Sequence, residues 1–150
     1  MRIDILTLFP AMFGPLQESM MKRAQNKGLA EIQITNIRDY TTDKHQITDD
    51  RLYGGGAGMV MKPEPIFAAV EDCMQKKGKT RVIITSPRGE LFTQQKAREL
   101  REAEQLIFIC GHYEGIDQSC LLYTSNPVPR IKLHKDQRNG VIQNENSKHI

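Results

Sequence analysis

Tryptophan is absent from the 150 residues, cysteine occurs only three times, and no apolar run approaches the ~20 residues that span a bilayer. A membrane-spanning helix is therefore not expected, nor is a membrane partner. Acidic Asp4 in the opening MRIDILTLFP stands where a secretory signal needs a basic stretch, so the expected setting is the cytoplasm. Cys73, Cys110 and Cys120 are odd in number and come without an export signal, which excludes a disulfide framework as the basis of the fold.

An excess of one charge is also missing from most of the chain. Residues 1–117 carry 16 Lys and Arg against 16 Asp and Glu, and residues 118–150 carry 5 against 2, so the net charge of +3 arises wholly in the last 33 residues. The basic balance of the whole chain is thus not by itself the electrostatic footprint of a nucleic-acid binder.

What is present suits a single domain-sized unit with one core. Residues 2–9 (RIDILTLF) form a short apolar run stopped by Pro10 and read as a buried strand. Leu16, Met20 and Ala24 recur at helical spacing between Pro15 and Asn26, with Gly28 placed to end that helix. Residues 30–37 alternate around Ile32 and Ile34 as a second strand, and no period survives from Arg38 to Met61, which predicts a long loop. Pro63 suits the first turn of a helix with an apolar stripe of Ile66, Phe67, Val70 and Met74, closed by Gly78. Residues 81–85 (RVIIT) and 105–110 (QLIFIC) read as core strands flanking a helix that Thr93 caps and Leu100 ends. Strands interleaved with helices predict an α/β fold, a parallel sheet with helices on both faces whose ligands sit at the carboxyl ends of the strands. Residues 86–92 (SPRGELF) and 111–117 (GHYEGID) are the loops expected there. Residues 118–150 hold only short apolar pieces and end in Asn, Gln and Lys, so they are expected to form a poorly ordered tail after a domain of residues 1–117.

Several segments can carry chemistry. Gly54, Gly55, Gly56 and Gly58 form either a tightly turned loop or one whose backbone approaches a ligand, and they match neither the dinucleotide fingerprint nor the P-loop. Asp49 and Asp50 read either as neighbouring carboxylates able to make a general base or as a solvated acidic turn, with Arg51 as a candidate phosphate ligand. Cys110-Gly111-His112 suggests metal or nucleophile chemistry, against the simpler reading that Cys110 is the last buried residue of its strand. Glu114 and Asp117 suit a ribose hydroxyl, an amine or Mg²⁺, or else cap their own turn.

Taken together, five segments resemble the bacterial tRNA (guanine-N1)-methyltransferase family of the SPOUT superfamily: residues 6–10 (LTLFP) with Met12-Phe13, residues 49–59 (DDRLYGGGAGM), residues 62–65 (KPEP), residues 86–89 (SPRG) and residues 110–117 (CGHYEGID). The resemblance covers residues 1–117 nearly throughout. It implies S-adenosylmethionine-dependent methylation of N1 of the guanine just after the anticodon of tRNA, by a homodimer using Mg²⁺, on a parallel α/β sheet that ends in a trefoil knot, an exception to the rule against knots. It further implies Ser86, Pro87, Gly111, Tyr113, Glu114 and Gly115 as cofactor-loop residues. Asp50, Gly54, Gly55, Gly56 and Gly58 are implied as substrate-side residues.

The family's aspartate base, its third cofactor loop and its tRNA-gripping helical domain follow the segment that Asp117 ends, and nothing in residues 118–150 resembles them. The expectation is a truncated chain with an incomplete knot, no assignable catalytic residue and impaired transfer. The alternative is a non-catalytic remnant that binds S-adenosylmethionine or RNA, its basic tail adding nonspecific affinity. A third outcome is a chain whose exposed apolar face prevents stable folding. Leu52 stands where the family usually has proline.

Overall fold

A computed structural model describes residues 1–51, 58–74, 78–112, 116 and 130–132, with the backbone alone described at residues 51, 87, 88 and 130–132. Five parallel strands make the main sheet. β1 (Arg2–Thr7) lies between β2 (Glu31–Asn36) and a strand formed by Gln105–Cys110, and that last strand also pairs with Thr80–Leu91. A short hairpin, β3 (Asp49–Arg51) and β4 (Met59–Met61), is antiparallel and separate. In chain order Thr80–Leu91 is β5, Gln105–Cys110 is β6 and Arg130–Lys132 is β7, and the sheet order is β2-β1-β6-β5-β7. The expected parallel α/β architecture is observed; the expectation of an incomplete knot lies outside the described residues.

The reason for the sheet is visible in its strands. β5 and β6 are nearly all apolar because consecutive side chains point to opposite faces and both faces are covered. Ile84 and Ile107 enter one core with Leu6, Ile66 and Val70. Ile83 and Leu106 enter the other with Leu100 and Ala103. The first core is covered by α2 (Pro63–Cys73), which buries Pro65, Ile66, Ala69, Val70 and Cys73. The second is covered from α3 (Gln94–Leu100), which starts at Thr93, whose hydroxyl accepts the Lys96 N–H at 3.2 Å.

A buried polar cluster ties the strands' amino ends together. Asp4 and Gln105 are both fully buried, and Gln105 Nε2 donates to Asp4 Oδ2 at 2.6 Å and to the Cys73 carbonyl at 2.7 Å. Arg2 Nη2 donates to the same carboxylate at 2.9 Å, and Thr80 Oγ1 donates to Gln105 Oε1 at 3.0 Å. The ion pair and hydrogen bond hold the Arg2 guanidinium above its ordinary pKa, so Asp4 keeps its counter-charge.

Four expectations are corrected. The helix expected between Pro15 and Asn26 is split: residues Pro10–Gln17 form a 3-10 helix containing Pro15, and α1 (Ser19–Asn26) begins only after a break. Ser19 has φ 51°, and Met20, expected inside, is 77% exposed. The run from Arg38 to Met61 is not structureless, since Ile37–Tyr40 form a 3-10 turn capped by the Asn36 side chain and the β3–β4 hairpin follows. Met74 lies past the end of α2 and is exposed, although Gly78 does take a positive φ of +105° where the chain turns into β5. Ser86 to Leu91 is strand rather than loop, because β5 continues to Leu91 with an irregularity: Thr85 and Glu90 both face Ile131. Within the segment for which little packing is expected, Arg130–Lys132 pair with β5 as β7; the rest of residues 118–150 lies outside the described residues.

Candidate functional site

The carboxyl ends of β1, β2, β5 and β6 share one edge of the sheet, as parallel strands require. Thr85 pairs with Cys110, so the next residues, Ser86 and Gly111, leave the ladder side by side. Ser86 begins the irregular stretch of β5, where Pro87 has no N–H to give a ladder. Gly111 is packed closely: a Cβ there would meet Ile116 Cγ1 at 3.3 Å and Cδ1 at 3.4 Å, with the Thr85 carbonyl at 3.8 Å. The glycine thus allows the segment after β6 to fold back over its own strand end.

Ile116 is where that segment lands. Its backbone forms a parallel bridge with Met61 on β4, and its side chain packs against the first core. Met61 is fully buried, and its sulfur accepts the His112 N–H at 3.3 Å. The hairpin expected on the substrate side is thereby joined to the loop expected on the cofactor side. Sequence reasoning placed Met61 only at the end of a loop; the apolar triplet Met59-Val60-Met61 was the available signal.

On the hairpin side, Asp50 faces Val60 across the ladder and Asp49 faces Met61. Successive strand residues point to opposite faces, so the two carboxylates leave the hairpin on different sides. Asp50 lines an open groove of about 930 Å³, together with Tyr40, Thr41, Met61, Lys62 and Glu64. Gly58, at the entry to β4, has φ +124°, a conformation that favours glycine. Gly54, Gly55 and Gly56, with Tyr113, Glu114, Gly115 and Asp117, lie outside the described residues.

The thiol chemistry suggested by Cys110-Gly111-His112 does not fit the site. Burial pushes the Cys110 thiol up from its ordinary pKa, opposed by a hydrogen bond with Thr85, so the group stays protonated and unactivated at neutral pH. Among the described residues no group of three His, Cys, Asp or Glu side chains converges. No helix among them is long and apolar enough to cross a membrane.

Comparison with known proteins identifies the family. The family model described as tRNA (Guanine-1)-methyltransferase TrmD matches residues 1–126, continuing past Asp117. The chain is 52% identical over 118 residues to the tRNA (guanine-N(1)-)-methyltransferase of Desulfitobacterium hafniense (strain Y51), covering 79% of this chain and 45% of that protein. It is 58% identical over 120 residues to proteins of the same name from Bacillus cereus (strain AH820) and Bacillus anthracis (strain A0248), covering 79% of this chain and 49% of each. The chain spans about half the length of the curated relatives it matches. It belongs to the tRNA (guanine-1)-methyltransferase family.

Proposed function

We propose, with membership of that family as the premise, that this chain carries part of the site for S-adenosylmethionine-dependent methylation of N1 of the guanine just after the anticodon of tRNA. The observation that carries the reading is the meeting of two surfaces at one sheet edge. Ser86 and Gly111 directly follow the last pair of the β5–β6 ladder, Thr85 and Cys110, and Met61 ties the segment after Gly111 to the hairpin bearing Asp50 and Gly58.

Ser86, Pro87 and Gly111, with Tyr113, Glu114 and Gly115, would hold S-adenosylmethionine. The residues present suit it in one respect: Gly111 puts backbone without a side chain beside Ser86 at the edge where parallel sheets take ligands. Bound there, the cofactor supplies an electrophilic methyl group on a sulfonium. The chain's task is positional, because an in-line transfer needs the guanine N1 held against that methyl and its proton removed. Asp50 and Gly58, with Gly54, Gly55 and Gly56, would present the guanine. No described residue is assigned as the base. We expect the 150-residue chain alone to bind its ligands with little or no turnover. A homodimer and a cytoplasmic setting belong to the same proposal.

The test is discrimination between two tRNA transcripts that differ only in having guanine or adenine after the anticodon, with binding measured at fixed salt in the presence of S-adenosylmethionine. The proposal expects tighter binding of the guanine form. Equal affinity at every salt concentration would contradict it, because phosphate contacts alone do not read the base.

A further inference from the structure

Three side chains that follow three adjacent strands meet at the same edge. Phe9 follows β1, Arg38 follows β2 and His112 follows β6, and these strands are neighbours in the order β2-β1-β6. The Arg38 Cζ lies 5.7 Å from the centre of the Phe9 ring. The rings of Phe9 and His112 meet edge to face, with centres 4.9 Å apart and planes at 74°.

The arrangement is held from behind. Arg38 Nη1 donates to the Leu8 carbonyl at 2.8 Å, and the Phe9 N–H donates to Thr7 Oγ1 at 3.1 Å, which fixes the chain as it leaves β1. Phe9 nevertheless remains 39% exposed, and His112 is exposed beside it. An aromatic ring kept at the surface by main-chain anchors, with a guanidinium and an imidazole beside it, is poor core packing. It suits a ligand that combines a flat π-face with an anion, because rings stack on bases while a guanidinium takes phosphate.

We propose that Arg38, Phe9 and His112 form a shelf that receives an unpaired nucleotide of the RNA substrate, its base against the Phe9–His112 ring pair and its phosphate on Arg38. The inference rests on the tRNA reading above and deepens it. His112 is next to Gly111 in the chain, so the shelf adjoins the proposed cofactor edge and would orient the nucleotides flanking the target guanine.

The experiment uses the full 150-residue chain and an anticodon stem-loop RNA carrying 2-aminopurine at a loop purine, with affinity and fluorescence followed over a salt series. Phe9→Leu keeps the apolar bulk and removes the π-face. It is expected to weaken binding about tenfold and to abolish the stacking-dependent fluorescence change, while Phe9→Trp retains both. Arg38→Gln is expected to reduce the slope of log affinity against log salt by about 1. Unchanged affinity and fluorescence for Phe9→Leu would overturn the shelf while leaving the tRNA reading in place. So would a Phe9→Leu chain that loses a dimer on gel filtration at unchanged RNA affinity, since the ring would then face a second copy. Absence of RNA binding by the unaltered chain would overturn the tRNA reading and the shelf together.

Discussion

The main-chain N–H of His112 donates to the thioether sulfur of Met61 at 3.3 Å, and Met61 is fully buried. One side chain therefore supports the segment after β6 and, through its own backbone, the hairpin strand β4. Met61→Leu conserves volume and is expected to cost less than ~1.5 kcal/mol of stability, whereas Met61→Ala should cost about 2–5 kcal/mol. Thermal unfolding separates the two. If the sulfur positions the loop, Met61→Leu will still weaken S-adenosylmethionine binding although its melting temperature is nearly unchanged.

Gln105 is expected to be the most sensitive polar residue of the sheet. Gln105→Leu leaves the buried Asp4 carboxylate and the Cys73 carbonyl without their 2.6 and 2.7 Å donors. Hydrogen bonds to charged groups contribute ~1.5–3 kcal/mol, and a loss of about that size should appear in the urea midpoint.

Alkaline pH is expected to unfold the chain through its thiols. Cys73 and Cys110 both have pKa values raised by burial, with the Asp4 charge adding to the effect at Cys73. The folded state thus holds protons that the unfolded thiols release near pH ~8.5. Their contribution is complete below that value and is lost as pH rises toward the folded pKa values. Tyr40, raised by its hydrogen bond to Asp72, acts in the same sense at higher pH. Urea midpoints should be level from neutral pH to about 8 and fall above about 9, less steeply in Cys110→Ala; an unchanged slope in that variant would count against the assignment.

Gly78→Ala tests the turn into β5. At φ +105° any side chain is strained, and a Cβ there would lie 2.6 Å from Glu104 Oε2. A loss of ~1–3 kcal/mol is expected by thermal unfolding, because the flexible Glu104 can move aside but the backbone strain remains.

The sheet was legible because its signals are local: RVIIT and QLIFIC must be buried on both faces, and Pro63 and Thr93 start their helices by well-defined local chemistry. The hairpin was not, because its strands are three residues each and their pairing across the glycines is nonlocal. β5 was cut short for a related reason. Pro87 and Gly89 signal a turn, yet pairing with β7 past an irregularity keeps the chain extended. Of the candidate site, the motifs offered Ser86, Gly111, Asp50 and Gly58 as candidates. They could not reveal Met61 as the link between them or Phe9 as an exposed ring, because both roles arise only when distant strand ends meet.

The most direct test of the account is calorimetric titration of the folded 150-residue chain with S-adenosylmethionine, beside Gly111→Ala, whose added methyl must push against Ile116 at 3.3 Å. The account predicts saturable one-site binding by the unaltered chain and clearly weaker binding by a Gly111→Ala chain that still unfolds cooperatively. A folded chain that binds no S-adenosylmethionine, or binds it equally well with alanine at that position, would contradict the placement of the cofactor at the ends of β5 and β6.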